Sequence, residues 1–337
     1  MEILVIKPSS LGDVIHALPF LNSVKETFPE SEIDWVISEN LMEILENNPL
    51  VNTLIPIDKD SWKKLNNLPQ TISQIIALKR NLQSKHYDIV VDLQGLLRSG
   101  LMTFFAQSDS KIGFEDAREG SSFFYSRKVT TGNAMHAVDR CIEVARAIGA
   151  HTDKIEFPLH IDRSASERIK NLTGNIDEYI VIVPSARWES KRWPAANFAS
   201  LISMMPLPSV IVGSKGDSSI TEEIIDRAPI TDKTINLCGR TSLKELVSLI
   251  AGAKAVVSND SGPMHIAAAL DKPTVAIFGP TDPNKTGPYG WKENSKLRVI
   301  SPQVPCSPCR EKKCDDMQCM QSIEVKQVYE ALKGFFQ

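Results

Sequence analysis

The sequence predicts an α/β protein made of two Rossmann-like domains, each with a parallel sheet, facing a central cleft. Three observations carry that expectation. Short β-branched runs alternate with longer amphipathic segments, the pattern of parallel strands joined by helical crossovers. The alternation breaks between about Ile161 and Ile176, where the chain turns charged and polar, and then restarts. The chain has 337 residues, which suits two domains at roughly 150 residues each.

The first strand, residues 3–6, is four apolar residues in a row, as burial on both faces requires. A helix over 13–28 follows, with Val14, Ile15, Leu18, Leu21 and Val24 at helical spacing. Next come a strand at 32–38, a helix at 41–47, a strand at 53–57, a helix at 72–83 and a strongly apolar strand at 87–93. A helix over 137–148 stops at Gly149. After the break, strands are expected at 179–183, 209–212, 255–258 and 274–278. Helices are expected at 196–204, 220–226, 243–250 and 264–270, and a last helix, 325–336, is assigned to the surface of the first domain. The domain limits are 1–165 and 166–337.

Acidic and basic residues number 41 and 38, a net charge of −3, which gives no sign of a dedicated nucleic-acid binder. Apolar residues at 42% and charged residues at 23% match an ordinary globular mixture. No apolar run approaches the ~18 residues that cross a bilayer, and the N-terminal apolar run is too short for a signal peptide, so a cytoplasmic location is expected. Four of the six cysteines crowd into Cys306, Cys309, Cys314 and Cys319. In a reducing compartment that spacing reads as free thiols or a structural zinc site rather than disulfides.

Four loops that follow strands carry candidate chemistry. Lys7-Pro8-Ser9-Ser10-Leu11-Gly12-Asp13 runs from the first strand into a helix, where Gly12 permits close backbone approach and the helix start favours anions. Asp13 reads equally as a helix cap or as a base at the cleft mouth. His16 reads as a packing residue behind it. Ser258-Asn259-Asp260-Ser261-Gly262-Pro263-Met264-His265 is a strand, a tight turn and a helix start suited to a diphosphate, with Asp260 or Ser261 able to cap. Pro184–Pro194 contains Arg187, Lys191 and Arg192 together with two tryptophans, cations able to neutralise a departing diphosphate. Asp217, after Val212-Gly213-Ser214-Lys215-Gly216, suits a ribose hydroxyl or a plain cap.

Other patterns are excluded. Residues 279–286 resemble a phosphate loop, but Asn284 replaces the second glycine and no apolar helix follows. There is no GxGxxG and no GxSxG, against a nicotinamide dehydrogenase and a serine hydrolase. Asp58-Lys59-Asp60 is assigned to the surface rather than to a metal–diphosphate.

Four segments, in this order and spacing, resemble the lipopolysaccharide heptosyltransferases of glycosyltransferase family 9. They are Lys7–Asp13 with Val-Ile-His-Ala-Leu-Pro after it, Asp92-Leu93-Gln94-Gly95, Lys191-Arg192-Trp193-Pro194, and Asn259–His265 with Ala-Ala-Ala-Leu near it. The Ser-Ser-Leu-Gly-Asp form is most like the branch that adds the first heptose to the inner Kdo. The resemblance implies a GT-B fold, with Kdo–lipid A bound by the first domain and ADP-heptose by the second. It implies an inverting displacement that needs no cofactor, with Asp13 as general base and Lys191 at the donor phosphates.

On the donor side it implies Ser185, Ala186, Arg187, Asp217, Thr241, Asp260, Ser261, Gly262, Pro263 and His265. Ala186 and Arg187 depart from the hydroxyls that the best-known members carry. On the acceptor side it implies Ser9, Ser10, Gly12, Lys63, Lys64, Arg118 and Arg140, and peripheral contact with the inner membrane. The other readings are a family 9 enzyme acting at the second or third heptose, a sugar-nucleotide epimerase, and a non-catalytic nucleotide-sugar-binding protein.

Overall fold

The computed structural model describes residues 1–58, 68–132, 134–228 and 233–336. They form two compact units, Met1–His160 and Ile161–Gln337. The first unit runs β1 (Glu2–Ile6), α1 (Leu11–Thr27), β2 (Glu32–Ser38), β3 (Thr53–Ile57), α2 (Leu68–Leu82) and β4 (Ile89–Asp92). It continues with α3 (Leu97–Phe105), β5 (Lys111–Phe114), β6 (Arg127–Val129) and α4 (Ala137–Ala147). The second runs α5 (Arg163–Leu172), β7 (Ile180–Val183), α6 (Ala195–Met204), β8 (Ser209–Ile211), α7 (Ser218–Arg227), β9 (Thr234–Asn236) and α8 (Leu243–Gly252). It ends with β10 (Ala255–Asn259), α9 (Gly262–Ala269), β11 (Thr274–Ile277), α10 (Pro283–Thr286), β12 (Leu297–Ile300), α11 (Gln318–Gln321) and α12 (Val325–Lys333).

Each unit holds one six-stranded sheet, ordered β3-β2-β1-β4-β5-β6 and β12-β11-β10-β7-β8-β9. The described pairings are parallel throughout. Counted from its own first strand, the second sheet repeats the order of the first. The reason lies in the middle strands. Ile3–Ile6 and Ile180–Val183 are apolar on both faces and buried, so each must be covered from both sides by helices. Val5 stands opposite Trp35 on one side and Val91 on the other. Strand order reverses between β1 and β4, and between β7 and β10. Loops leaving the carboxyl ends of those strands are where such folds bind ligands.

The polar stretch after Ile161 forms helix α5, capped by Asp162, whose Oδ1 accepts from Ala165 N at 2.9 Å. Ala165 and Ile169 bury its inner face, and the second unit begins at Ile161. Two expectations are corrected. The last helix, α12, contributes Val328 and Leu332 to the core of the second unit instead of the first. The segment expected as a helix at 41–47 is a 3₁₀ turn over Glu39–Ile44.

Gly113 on β5 has no space for a side chain, because an added Cβ would overlap the Tyr125 ring. Gly113→Ala is therefore expected to destabilise the first unit by about 1–3 kcal/mol through overpacking. Thermal melting should report it as a drop of several degrees, and an unchanged melting curve would contradict the packing described here.

Candidate active site

In the first unit, the loop after β1 is pinned from both sides. The Trp35 indole N–H donates to Lys7 O at 3.2 Å, and Ser38 N donates to Pro8 O at 3.1 Å. From β4, Leu93 O accepts from the buried Lys7 ammonium at 2.7 Å, and Gln94 Oε1 accepts from Ser9 N at 3.3 Å. Asp13 sits in the first turn of α1, half-buried, and its Oδ2 accepts from both the N–H and the hydroxyl of Ser10 at 2.7 Å each. Asp13 therefore closes the helix start, and the carboxylate is held in one place by doing so. Gly12 is buried beneath it.

Asp92, at the end of β4, is fully buried and organises the neighbouring loop. Its Oδ1 accepts from Gln94 N at 2.8 Å and Gly95 N at 3.0 Å, and its Oδ2 from the Tyr125 hydroxyl at 2.7 Å. Burial pushes this carboxyl up, against the pull of hydrogen bonds from Tyr125, Gly95, Ser99 and Gln94. Gly95 O in turn accepts from Arg118 N at 2.9 Å. Arg140 projects from α4 toward Asp116 at 2.5 Å and stacks over the Phe114 ring at 4.7 Å. Cys141, next to it, feels the charges of Lys7, Asp13 and Arg140, while burial pushes its thiol up to about 11. The loop of Asp13 and the start of α4 are thus brought together. His16 packs edge-on to His136 with ring centroids 5.4 Å apart, in agreement with a packing role. Lys63, Lys64 and Asp60 lie outside the described residues.

In the second unit, the loops after β7 and β10 meet. Lys191 Nζ lies 2.6 Å from Asp260 Oδ2, and the Thr281 hydroxyl donates to the same oxygen at 2.5 Å. The Lys191 ammonium also rests over the Trp188 ring, 4.5 Å from its centroid. One buried amide fixes this loop at both ends: Asn259 Nδ2 donates to Pro184 O at 2.7 Å, and Trp193 N donates to Asn259 Oδ1 at 3.1 Å. Ser185 is partly buried, Ala186 buried and Arg187 exposed within the span so held. Ser261 occupies the N-cap position of α9, but its hydroxyl pairs with Ser258 Oγ at 3.1 Å and does not cap the helix. The capping reading of Asp260 and Ser261 is thereby corrected: one carboxylate serves a lysine, the other side chain a serine. Gly262 and Pro263 open α9, and His265 is buried on its first turn.

Asp217 repeats the geometry of Asp13. Its Oδ2 accepts from Ser214 N at 2.8 Å and from the Ser214 hydroxyl at 2.6 Å. The two sequences, Ser-Leu-Gly-Asp and Ser-Lys-Gly-Asp, share three of four residues. Asp217 follows β8, whereas Asp13 follows the strand at which sheet order reverses. Gly239 N donates to Gly213 O at 2.8 Å, which joins the Asp217 loop to the segment leading to Thr241.

A model of glycosyltransferase family 9 (heptosyltransferase) matches residues 75–320. The chain is 34% identical to lipopolysaccharide heptosyltransferase 1 of Pseudomonas aeruginosa over 320 residues, 93% of this chain and 87% of that one. The chain belongs to glycosyltransferase family 9, the heptosyltransferases. It is 30% identical to lipopolysaccharide heptosyltransferase 2 of Salmonella typhimurium, over 89% of this chain and 88% of the relative. The solved E. coli heptosyltransferase WaaC with ADP superposes with a TM-score of 0.80 at 27% identity, covering 99% of this chain and 100% of that one. The same E. coli enzyme with ADP-2-deoxy-2-fluoro heptose gives 0.78 at 27% identity, covering 99% of each chain. The fold is the GT-B-type α/β fold that the sequence led one to expect, and the protein is a glycosyltransferase.

Within this family 9 enzyme, sequence reasoning left Thr281 out of the site and named Lys7, Asp92, Gln94 and Asn259 only within their segments, with no role of their own. The available signal was a charged or amide residue at the end of a wholly apolar strand, where a buried polar group must find partners. Cys306, Cys309 and Cys314 are exposed and Cys319 is buried, all as free thiols. Burial raises the Cys319 thiol, and the other three add to the shift. Among the described residues, no group of three or more ligating side chains is arranged to hold a metal ion. The zinc reading gains nothing from the geometry.

Proposed function

We propose that this heptosyltransferase moves heptose from ADP-heptose onto the Kdo of a Kdo–lipid A acceptor, in the inner core of lipopolysaccharide. The observation that carries the reading is one of placement. Each sheet presents its polar loop at the strands where its order reverses, a held carboxylate in one unit and a lysine–aspartate pair in the other. In the reaction, an acceptor hydroxyl oxygen attacks the anomeric carbon of the heptose. The bond from that carbon to the diphosphate oxygen breaks, ADP leaves, and the hydroxyl proton passes to Asp13. Attack opposite to departure inverts the anomeric centre. Lys191 meets charge developing on the diphosphate, and the α9 N-terminus adds backbone N–H groups. Arg118 and Arg140, with Lys63 and Lys64, suit the anionic acceptor.

The name of the Pseudomonas relative supports the first heptose position, and the ADP held by the E. coli relative supports the donor. Among the described residues, no helix is long and apolar enough to cross a membrane, so peripheral attachment is the proposed mode of reaching a lipid acceptor. The test is incubation with ADP-heptose and Kdo–lipid A, followed by mass spectrometry of the lipid. A gain of one heptose is expected. Transfer only to an acceptor already carrying heptose would move the assignment to a later position, and conversion of donor without acceptor would favour an epimerase. With Lys191 and helix N–H groups opposite the diphosphate, turnover is expected to persist in EDTA. Complete loss that added metal restores would contradict that division of labour and return attention to Asp58 and Asp60.

A further inference from the structure

Among the described residues, ten large apolar side chains stand exposed, and seven of them lie on α2, α3 and the turn after β5. Ile72, Ile75 and Ile76 follow helical spacing on α2, and Leu97, Leu101 and Phe104 do so on α3. These are outward faces: the same helices bury Leu82 and Met102 on the other side. Phe123, in the turn Ser121–Phe124, is 86% exposed, the most exposed large apolar residue described. Contacts join the three pieces into one strip. Lys79 Nζ lies 5.4 Å from the Phe105 ring centroid, linking α2 to α3. The Phe104 and Phe124 rings lie 5.7 Å apart, linking α3 to the turn.

The charge around this strip is predominantly positive. Residues 68–82, 97–105 and 120–128 contain no aspartate or glutamate, while Lys79, Arg80, Arg98, Arg127 and Lys128 fall within them. Lys111 adds its ammonium 5.8 Å from the Phe104 ring centroid. The neighbouring carboxylate, Glu119, accepts from Leu97 N at 3.1 Å. A second copy of the chain paired on this strip by a two-fold axis would set a surplus of cations against the same surplus. An anionic lipid surface complements both features, apolar depth for the rings and phosphate charge for the rim.

We propose that this strip is a lipid-docking surface, with Leu97, Leu101, Phe104 and Phe123 entering the headgroup–acyl boundary of an anionic bilayer and the flanking cations meeting headgroup phosphates. The inference deepens the reading of a lipid acceptor and rests on it for its purpose. Position supports it: α3 begins directly after the Gly95 loop that holds Arg118, so docking brings the acceptor side of the first unit to the lipid.

The test is co-sedimentation of the full chain with vesicles of phosphatidylethanolamine and phosphatidylglycerol, and with phosphatidylcholine vesicles as comparison, all without acceptor. Binding is expected to the anionic vesicles and to fall with salt. Phe104→Ser with Phe123→Ser is expected to lower partitioning by about tenfold or more, from the apolar surface each ring would bury. Lys79→Glu with Arg80→Glu is expected to lower it by about fivefold or more per site. Both rings are exposed in the free protein, so the phenylalanine variant should melt normally and keep wild-type turnover on a deacylated, water-soluble acceptor. Unchanged vesicle binding by the phenylalanine variant would overturn the proposal. So would self-association of the wild type that the same variant abolishes, since the strip would then belong to a second copy. Absence of wild-type turnover on the soluble acceptor would count against the functional reading, while acceptor-free vesicle binding still decides the docking.

Discussion

Asp13→Ala is expected to cut kcat by about 10²–10⁴, the usual cost of removing a general base, while ADP binds as before. The carboxylate also closes the start of α1 through Ser10, so some loss of stability will accompany the loss of rate. Removal of such a cap costs about 0.5–2 kcal/mol. The protein contains its own control for that cost. Asp217 makes the same pair of hydrogen bonds with Ser214, at a strand end away from the reversal of sheet order. Asp217→Ala should lower melting by a similar amount and reduce kcat far less. Steady-state kinetics and thermal melting of both variants decide the matter. If the two lose the same fraction of kcat, Asp13 acts as a cap and the base lies elsewhere.

Lys191→Ala should weaken donor binding as well as turnover, because its charge meets the diphosphate before and during bond breaking. Hydrogen bonds to charged groups contribute about 1.5–3 kcal/mol, so donor Kd should rise by about tenfold to a hundredfold. The single variant also strands Asp260, whose side chain is nearly inaccessible and whose remaining described donor is Thr281. An uncompensated buried charge is strongly destabilising. Lys191→Ala combined with Asp260→Asn should recover the melting temperature and leave donor affinity low. Calorimetric titration with ADP-heptose provides the readout. Wild-type affinity in the double variant would show that Lys191 serves only the fold.

The interior strands were readable because their chemistry is extreme: β1, β4, β7, β10 and β11 are apolar runs that have no stable place except between helices. Three of the four edge strands were not. Strands β6, β9 and β12 read Arg-Lys-Val, Thr-Ile-Asn and Leu-Arg-Val-Ile, short as edge strands tend to be and each interrupted by polar residues, and their identity comes from pairing with a neighbour rather than from periodicity. Helix α3 was missed for a different reason, since its exposed face carries Leu97, Leu101 and Phe104 while its buried one carries Ser99, Gly100, Met102 and Thr103, the reverse of the usual amphipathic pattern. Of the site, Asp13, Lys191 and Asp260 announce themselves as charges in strand-to-helix loops. The lysine–aspartate pairing does not, because it links loops 69 residues apart in the chain. The Asn259 clamp is equally non-local, and an asparagine beside an aspartate gives no local sign of it.

Asn259 closes the segment between Pro184 and Trp193 into a ring, and a ring fastened at its two ends does not rely on its middle for shape. Lys191 keeps its place through the clamp, Trp188 and Asp260, none of which involves the side chains at 186 and 187. Neither of those side chains is needed to hold the cation. A change at the exposed position 187 should leave the cation where it is, whereas loss of Asn259 would release both ends of the ring at once.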